Sequence, residues 1–515
     1  MSVARLRSLT SRSLHKSTGP KGPRERVVIL GSGWAGYAFA RTLDPAKYER
    51  IVVSPRSYFV FTPLLASTAV GTLEFRATLE SVRRLGDVKF LQGWADDVDF
   101  DRKVVRVEEN HVDDLATKKV LPAPDATKGS KSSDVTVENP ALPKGPVDEV
   151  PYDKLVIAVG AYSQTFGIEG VRQHAHFLRD VGDARRIRVK VLSLFEQCAS
   201  PSMSDEDRKK LLHFAIVGGG PTGIEFAAEL HDLIHEDLSK MYASLLPYVQ
   251  ITVYDVAPKI LPMFDQALAS YAIKHFGRQK INVKTAHNIE RIRADDNGLG
   301  GVMLKIKQYG DAEVGAGLVV WSTGLMQNPL VEKLSRKTIA GPDGSRAFRL
   351  EKDKRTGGVI VDGHLRARMV EAPAGSEASL SAAAAAASAA APTTSKSKPE
   401  VLNDVFVIGD CCVVDGQPLP KTAQVASQQA AYLSHAFNKG AADPNPFAFR
   451  NLGTMTYLGN WKALWQKDRT DLTGRTAWVL WRTAYMTRSM SIKNRLMIPF
   501  YWFVSWLFGR DISRF

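Results

Sequence analysis

The sequence predicts an α/β fold with two parallel-sheet domains, because a strand, a glycine-rich turn and a helix occur in that order twice, near residues 27 and 214. A third observation is a short apolar strand that ends in Gly409-Asp410 and closely precedes a helix. At 515 residues the chain is too long for one ordinary core, so two or three domains are expected.

The first unit reads Val27-Val28-Ile29-Leu30-Gly31-Ser32-Gly33-Trp34-Ala35-Gly36 and runs into an apolar helix over 37–43. Four β-prone residues form a buried strand, and the G-x-G-x-x-G turn opens the helix. Gly31 makes the turn, Gly33 lets a pyrophosphate approach the backbone, and Gly36 lets helix and strand pack closely. The helix N-terminus supplies free N–H groups and partial positive charge for the phosphates. The second strand, Ile51-Val52-Val53, ends at Ser54, where such folds place an acid for the ribose hydroxyls; a hydroxyl bonds ribose more weakly than a carboxylate does.

The second unit is residues 214–217 followed by Gly218-Gly219-Gly220-Pro221-Thr222-Gly223-Ile224-Glu225. Its second strand, Ile251-Thr252-Val253-Tyr254, ends at Asp255, which is placed to bond the adenosine ribose of NAD(H) and to repel the 2′-phosphate of NADP(H). A single G-x-G-x-x-G is weak evidence, since any tight strand–helix turn can carry it. Two copies in strand–turn–helix context, one domain apart, are not. Asp410 then fits the place where two-domain flavoproteins hold the ribityl and pyrophosphate part of FAD.

These motifs resemble the type II (alternative) NADH:ubiquinone oxidoreductases of fungal and plant mitochondria, from about residue 26 to the C-terminus without two inserts. Ser54-Pro55-Arg56-Ser57-Tyr58-Phe59-Val60-Phe61-Thr62-Pro63-Leu64-Leu65 matches that family's segment after the first FAD strand, including the serine in place of the acid. Val156-Ile157-Ala158-Val159-Gly160-Ala161 resembles the second FAD-contacting strand, and Trp321-Ser322-Thr323-Gly324 the return from the NADH domain. Lys421-Thr422-Ala423-Gln424-Val425-Ala426-Ser427-Gln428-Gln429 carries the A-Q-x-A-x-Q pattern typical of the quinone pocket. On a helix Gln424 and Gln428 share a face, where their amides can meet quinone carbonyls.

The resemblance implies a glutathione-reductase-like flavoprotein with FAD and NADH as cofactors. Residues 26–185 and 326–445 would form the FAD domain, 186–325 the NADH domain, and 446–515 a membrane-anchoring and dimerisation region. FAD would be held by Gly31, Ser32, Gly33, Gly36, Ser54, Pro55, Arg56, Thr62, Pro63, Ala158, Gly160, Gly409 and Asp410. NADH would be held by Gly218, Gly220, Pro221, Thr222, Gly223, Glu225, Asp255, Thr323 and Gly324, and quinone by Ala423, Gln424, Gln428 and Tyr457. Glu225 matches a family glutamate near the nicotinamide and flavin; orientation, proton handling or a plain first-turn role favoured by the helix dipole all stay open. The implied partners are NADH, ubiquinone, the inner-membrane surface and a second copy of the chain. The implied activity is NADH oxidation with quinone reduction and no proton pumping.

Composition agrees. Hydrophobic residues make up 44% and charged residues 24%, the balance of a globular protein, and the formal net charge of +14 suits an anionic surface. Neither zinc-finger spacing nor the aromatic and basic alternation of RNA binders is present, so a membrane rather than nucleic acid is expected, and no metal site. Residues 1–25 hold six Lys/Arg among serines and leucines, with no acid before Glu25, the composition of a mitochondrial presequence. No stop-transfer stretch separates it from the first strand, so the matrix side of the inner membrane is expected. Two stretches, about 115–149 and 371–400, read as mobile inserts. From Tyr457 onward lie ten Lys/Arg and six of the nine tryptophans, and residues 496–508 are apolar yet too short to span a bilayer, which suits an interfacial anchor.

Rivals are weighed by cysteines. A disulfide reductase of this fold needs a cysteine pair beside the flavin, and residues 51–101 contain none. Sulfide:quinone oxidoreductase also needs cysteines at the flavin and has no use for an intact second fingerprint ending at Asp255. A flavoprotein that binds NADH only as a signalling module fits the glutamine block and the basic aromatic C-terminus less well.

Overall fold

The computed structural model describes residues 23–109, 146–341, 346–372, 400–440 and 444–514. The presequence-like segment up to residue 22 and nearly all of the two expected inserts lie outside the described residues.

The first sheet is built on five parallel strands in the order Glu400–Val407, Lys154–Ile157, Glu25–Leu30, Tyr48–Ser54, Val88–Asp99. Residues 27–30 are fully buried, which explains their unbroken apolar run: a central parallel strand is covered on both faces. From Glu25–Leu30 the chain moves outward to Tyr48–Ser54 and Val88–Asp99, then returns to add Lys154–Ile157 on the other side. Strand order therefore reverses at the first glycine turn, and a ligand crevice opens at the carboxyl ends there.

The second sheet repeats this plan. Its parallel order is His176–Phe177, Leu318–Trp321, His213–Val217, Gln250–Tyr254, Ile281–Lys284, with the reversal between His213–Val217 and Leu318–Trp321. Outgoing and returning connections between the domains pair as a two-stranded ribbon, Ala161–Ser163 against Leu325–Gln327. The last part of the chain forms an antiparallel sheet of Thr454–Gly459, Lys462–Lys467 and Thr470–Thr473, followed by helices Gly474–Arg488 and Ile492–Phe508.

Two insert boundaries are corrected. Residues 147–149 belong to the strand Val147–Pro151, which pairs antiparallel with Val104–Glu109 and buries Val150. Glu371 and Glu400 likewise end and begin paired strands, Arg366–Glu371 and Glu400–Val407. The charged, exposed sequence of Val147–Pro151 hides its pairing, because an edge strand needs few apolar residues.

Candidate active site

Each glycine turn is shaped by contacts that leave no room for a side chain. Gly31 has φ +108°, and a Cβ there would stand 2.4 Å from the Ala158 carbonyl oxygen. A Cβ on Gly36 would meet the Gly31 carbonyl oxygen at 2.1 Å, and one on Gly223 the Gly218 carbonyl oxygen at 2.0 Å. Gly33 and Gly220 differ: nothing lies within 4 Å of a Cβ on either, and each is the N-cap of its helix without any side-chain cap. Open space in front of uncapped helix N–H groups is what a dinucleotide pyrophosphate requires, so both turns fit such a cofactor.

One cavity of about 660 Å³ runs from the first turn to the second domain. Of the residues expected to hold cofactor or substrate, it is lined by Gly31, Ser32, Gly33, Ser54, Pro55, Arg56, Thr62, Pro63, Ala158, Gly160, Gly409, Asp410, Pro221, Thr222, Glu225, Thr323, Gly324 and Ala423. Gly36, Gly218 and Gly223 act behind the wall as packing positions, while Gly220 and Asp255 lie off the cavity along the second domain. Asp255 accepts hydrogen bonds from Gly219 N–H at 2.5 Å and Ala257 N–H at 2.7 Å, which fixes its carboxylate beside the second turn.

In the first domain the Ser54 hydroxyl lies 2.9 Å from Ser32 Oγ, and the nearby Arg56 guanidinium is paired with Asp180 at 2.5 Å. Burial raises the Asp410 carboxyl while Arg179 and Lys421 pull it down. Arg179, Asp180, Asp183, Lys421, Met455 and Tyr485 also line this cavity and were not singled out from sequence. For the middle pair a signal exists: Asp180 and Asp183 form the capping box of helix Val181–Cys198, a motif readable three residues apart.

Glu225 is almost wholly buried at the second turn. Its Oε1 accepts from Tyr457 N–H at 3.1 Å and from Trp481 Nε1–H at 3.3 Å. Burial pushes its carboxyl up to about 8, against the pull of those bonds and with a further push from Glu229. A carboxyl that still holds its proton at neutral pH on a cavity wall is equipped to donate it.

The glutamine pair is placed differently from expectation. Gln424 and Gln428 do share a face of helix Ala423–Lys439, but neither lines the cavity. Gln424 donates to Gly453 O at 3.3 Å and accepts from Leu452 N–H at 2.8 Å; Gln428 donates to Arg450 O at 2.9 Å and accepts from Arg450 N–H at 3.0 Å. Both amides thus pin the segment that leads into strand Thr454–Gly459, which carries Met455 to the cavity. The next glutamine, Gln429, is buried and accepts from Gly409 N–H at 2.7 Å, holding the Gly-Asp turn. Tyr457 is also off the cavity wall; its backbone N–H serves Glu225, and its hydroxyl donates to Asp232 Oδ2 at 2.6 Å.

The model for pyridine nucleotide-disulphide oxidoreductases matches residues 25–345, and that for the NDH2 C-terminal domain matches residues 451–511. A probable NADH dehydrogenase of Dictyostelium discoideum is 36% identical over 521 residues, covering 98% of this chain and 96% of the relative. The chain belongs to the type II NADH dehydrogenase family. An internal alternative NAD(P)H-ubiquinone oxidoreductase of Solanum tuberosum mitochondria is 33% identical, over 95% of this chain and 88% of the relative. Among solved structures, NDH2 of Plasmodium falciparum superposes with a TM-score of 0.74 at 24% identity, over 95% of this chain and all of that one, a likeness of fold. Sulfide:quinone oxidoreductase of Aquifex aeolicus shares the fold less closely, with a TM-score of 0.59 at 17% identity over 95% of this chain and 96% of that one. The cysteines here do not suit that chemistry: Cys198, Cys411 and Cys412 are all buried, and burial raises every thiol.

Proposed function

We propose that this type II dehydrogenase oxidises NADH through bound FAD and reduces a membrane quinone, carried by one observation: a single cavity joins the first glycine turn and Asp410 to the second turn at Thr222 and Glu225. When bound, FAD supplies an isoalloxazine that takes hydride from the nicotinamide and yields two electrons to a quinone. The chain's own part is alignment. Gly31, Ser32 and Gly33 hold the flavin pyrophosphate, Ser54, Pro55 and Arg56 the adenosine end, Asp410 the ribityl hydroxyls, and Thr62, Pro63, Ala158 and Gly160 the walls about the ring. Pro221, Thr222, Thr323 and Gly324 set the nicotinamide end of NADH against it.

Asp255 makes the choice between the two nicotinamide cofactors. Its fixed carboxylate bonds ribose hydroxyls and repels a 2′-phosphate, a like-charge contact that costs several kcal/mol. The purified protein should contain FAD and reduce quinone faster with NADH than with NADPH, and Asp255→Asn should raise the NADPH-to-NADH activity ratio on the order of 100-fold. A flavin-free protein, or one with no quinone reduction, overturns the function; an unchanged ratio moves the discrimination elsewhere.

The quinone lies against Ala423, Ala426, Met455 and Tyr485, with Gln424 and Gln428 acting from behind by holding 450–453. Met455→Trp should therefore raise the quinone KM roughly tenfold while leaving flavin reduction by NADH unchanged. Slower flavin reduction instead would place Met455 on the NADH side.

The same region meets the membrane. No helix among the described residues is long and apolar enough to cross a bilayer. Helix Ile492–Phe508 buries Asn494, Ile498 and Trp502 but exposes Leu496, Phe500, Phe503 and Trp506 along one outer face, beside Lys493 and Arg495. Such a face lies in the headgroup region, and pairing of two copies uses the same C-terminal region. The triple variant Leu496→Glu, Phe503→Glu, Trp506→Glu should keep its FAD yet no longer float with anionic vesicles, and it should leave inner membranes where the wild type faces the matrix. Flotation unchanged by the substitutions contradicts the anchor, and digestion of the wild type by protease added to mitoplasts contradicts the matrix side.

A further inference from the structure

Helix Pro221–Asp232 and the wider turn Leu233–Asp237 that continues it carry four buried carboxyls: Glu225, Glu229, Asp232 and Asp237 are 7%, 4%, 3% and 8% exposed. The first three stand at i, i+4 and i+7, one face of the helix, with neighbours about 5–6 Å apart. Glu225 lines the cavity. Glu229 accepts from Ser67 Oγ at 2.5 Å and Thr72 Oγ1 at 2.9 Å, and the Tyr457 hydroxyl donates to Asp232 at 2.6 Å. Asp232 lies 3.5 Å from His231 Nδ1, and the His231 ring stacks at 4.0 Å on that of His235, which is exposed to water. From Glu225 to His235 the row covers about 15 Å at the helical rise per residue.

Its charges do not balance as ions. Arg510 pairs with Asp237 at 2.6 Å and with the outer Glu236 at 2.7 Å, and it donates to Thr72 at 2.9 Å. Arg482 is held between the rings of Trp478 and Trp502, at 4.6 and 4.3 Å. Two guanidiniums thus face four buried carboxyls, so the row must retain protons. Burial raises both Glu229 and Glu225. At the outer end His275, which contacts Gly459 O, and the positive charges of Lys280 and Lys462 bear on the histidines.

We propose that this row conducts the proton that quinone reduction takes from water, entering at His235 and His231 and passing Asp232, the Tyr457 hydroxyl and Glu229 to Glu225. The inference rests on the quinone-reducing function above. In NADH + H⁺ + quinone → NAD⁺ + quinol, the nicotinamide C–H bond breaks with both electrons and supplies one of the two hydrogens. The second arrives as a proton: the Glu225 O–H bond breaks as a quinol O–H bond forms, and Glu229 restores it. Glu225 touches the cavity; Glu229, Asp232 and the histidines act through it.

Stopped-flow measurement of the two half-reactions tests this. Glu229→Gln keeps one acceptor oxygen for Ser67 or Thr72 and meets the other hydroxyl as a donor, but it cannot carry a proton. We expect wild-type flavin reduction by NADH, reoxidation by quinone slowed on the order of 100-fold with a larger solvent deuterium isotope effect, and recovery in Glu229→Asp or with added formic acid. Reoxidation of Glu229→Gln at the wild-type rate with an unchanged isotope effect overturns the route. If that variant does not retain FAD, His231→Phe with His235→Phe, which keeps the ring stack at the surface, decides: slowed reoxidation restored by added imidazole supports the route, and unaltered kinetics overturn it. Failure of the wild type itself to be reoxidised by quinone would refute the function rather than the route.

Discussion

Gly36→Ala is expected to abolish flavin retention, whereas Gly223→Ala should leave the protein flavin-loaded and unable to accept hydride from NADH. Each new Cβ would stand about 2 Å from a backbone carbonyl oxygen, of Gly31 in one case and Gly218 in the other. Gly223 is further closed by Ser322 Oγ at 2.6 Å. Neither contact can relax by moving a flexible side chain, so helix and strand must part, at about 1–3 kcal/mol. The helix N-terminus that receives the phosphates moves with it. A shift near 1 Å costs on the order of 100-fold in rate when the reacting atoms must be aligned. The two sites are built on separate sheets, so the losses should be separable: absorbance reports flavin content, and anaerobic mixing with NADH reports its reduction. A Gly223→Ala protein whose flavin is reduced at the wild-type rate would disprove the assignment of the second turn to NADH.

The two turns were readable because everything that defines them is local. Residues 27–36 and 214–223 contain the buried strand, the positive-φ glycine and the packing glycine within ten positions, and the resulting elements, Glu25–Leu30 with Trp34–Thr42 and His213–Val217 with Pro221–Asp232, differ from expectation only at their ends. Where the partner is distant, sequence spacing failed. The helix face shared by Gln424 and Gln428 was anticipated, but an amide that suits a quinone carbonyl suits a peptide carbonyl equally, and residues 450–453 engage both amides. Arg56 and Asp180 are 124 positions apart and meet only because the chain returns to the first crevice. Tyr485 reaches the cavity because helix Gly474–Arg488 is laid across it by the C-terminal sheet, a docking that no periodicity encodes. The buried row Glu225, Glu229, Asp232 has helical spacing, yet from sequence alone that is the pattern of a solvated face.

Glu225→Gln should slow quinone-dependent flavin reoxidation by about 10²–10⁴-fold and erase its alkaline limb. The carboxyl is neutral in the folded protein up to about 8 because burial outweighs the hydrogen bonds from Tyr457 and Trp481. In the wild type, reoxidation should then decline as pH rises through about 8, where the donor loses its proton, while flavin reduction by NADH keeps its rate. Stability carries the same signature with a definite sign. Below the ordinary value of 4.5 the group is neutral in both folded and unfolded chains and costs nothing. As pH rises above that value the unfolded chain ionises first, so the folded state is progressively penalised, by about 1.4 kcal/mol per unit, until the folded carboxyl itself ionises near 8. The glutamine variant has no proton to lose and escapes that penalty. Its Tm should accordingly rise relative to wild type from pH 5 to 8 and hold a constant margin above, the opposite of its effect on turnover. A Tm margin that does not change between pH 5 and 8 would show that Glu225 is an ionised structural carboxylate. A wild-type reoxidation rate independent of pH would show a buried carboxyl that packs without donating, since the stability slope follows from burial whatever the group's role and only the activity limb reports proton donation.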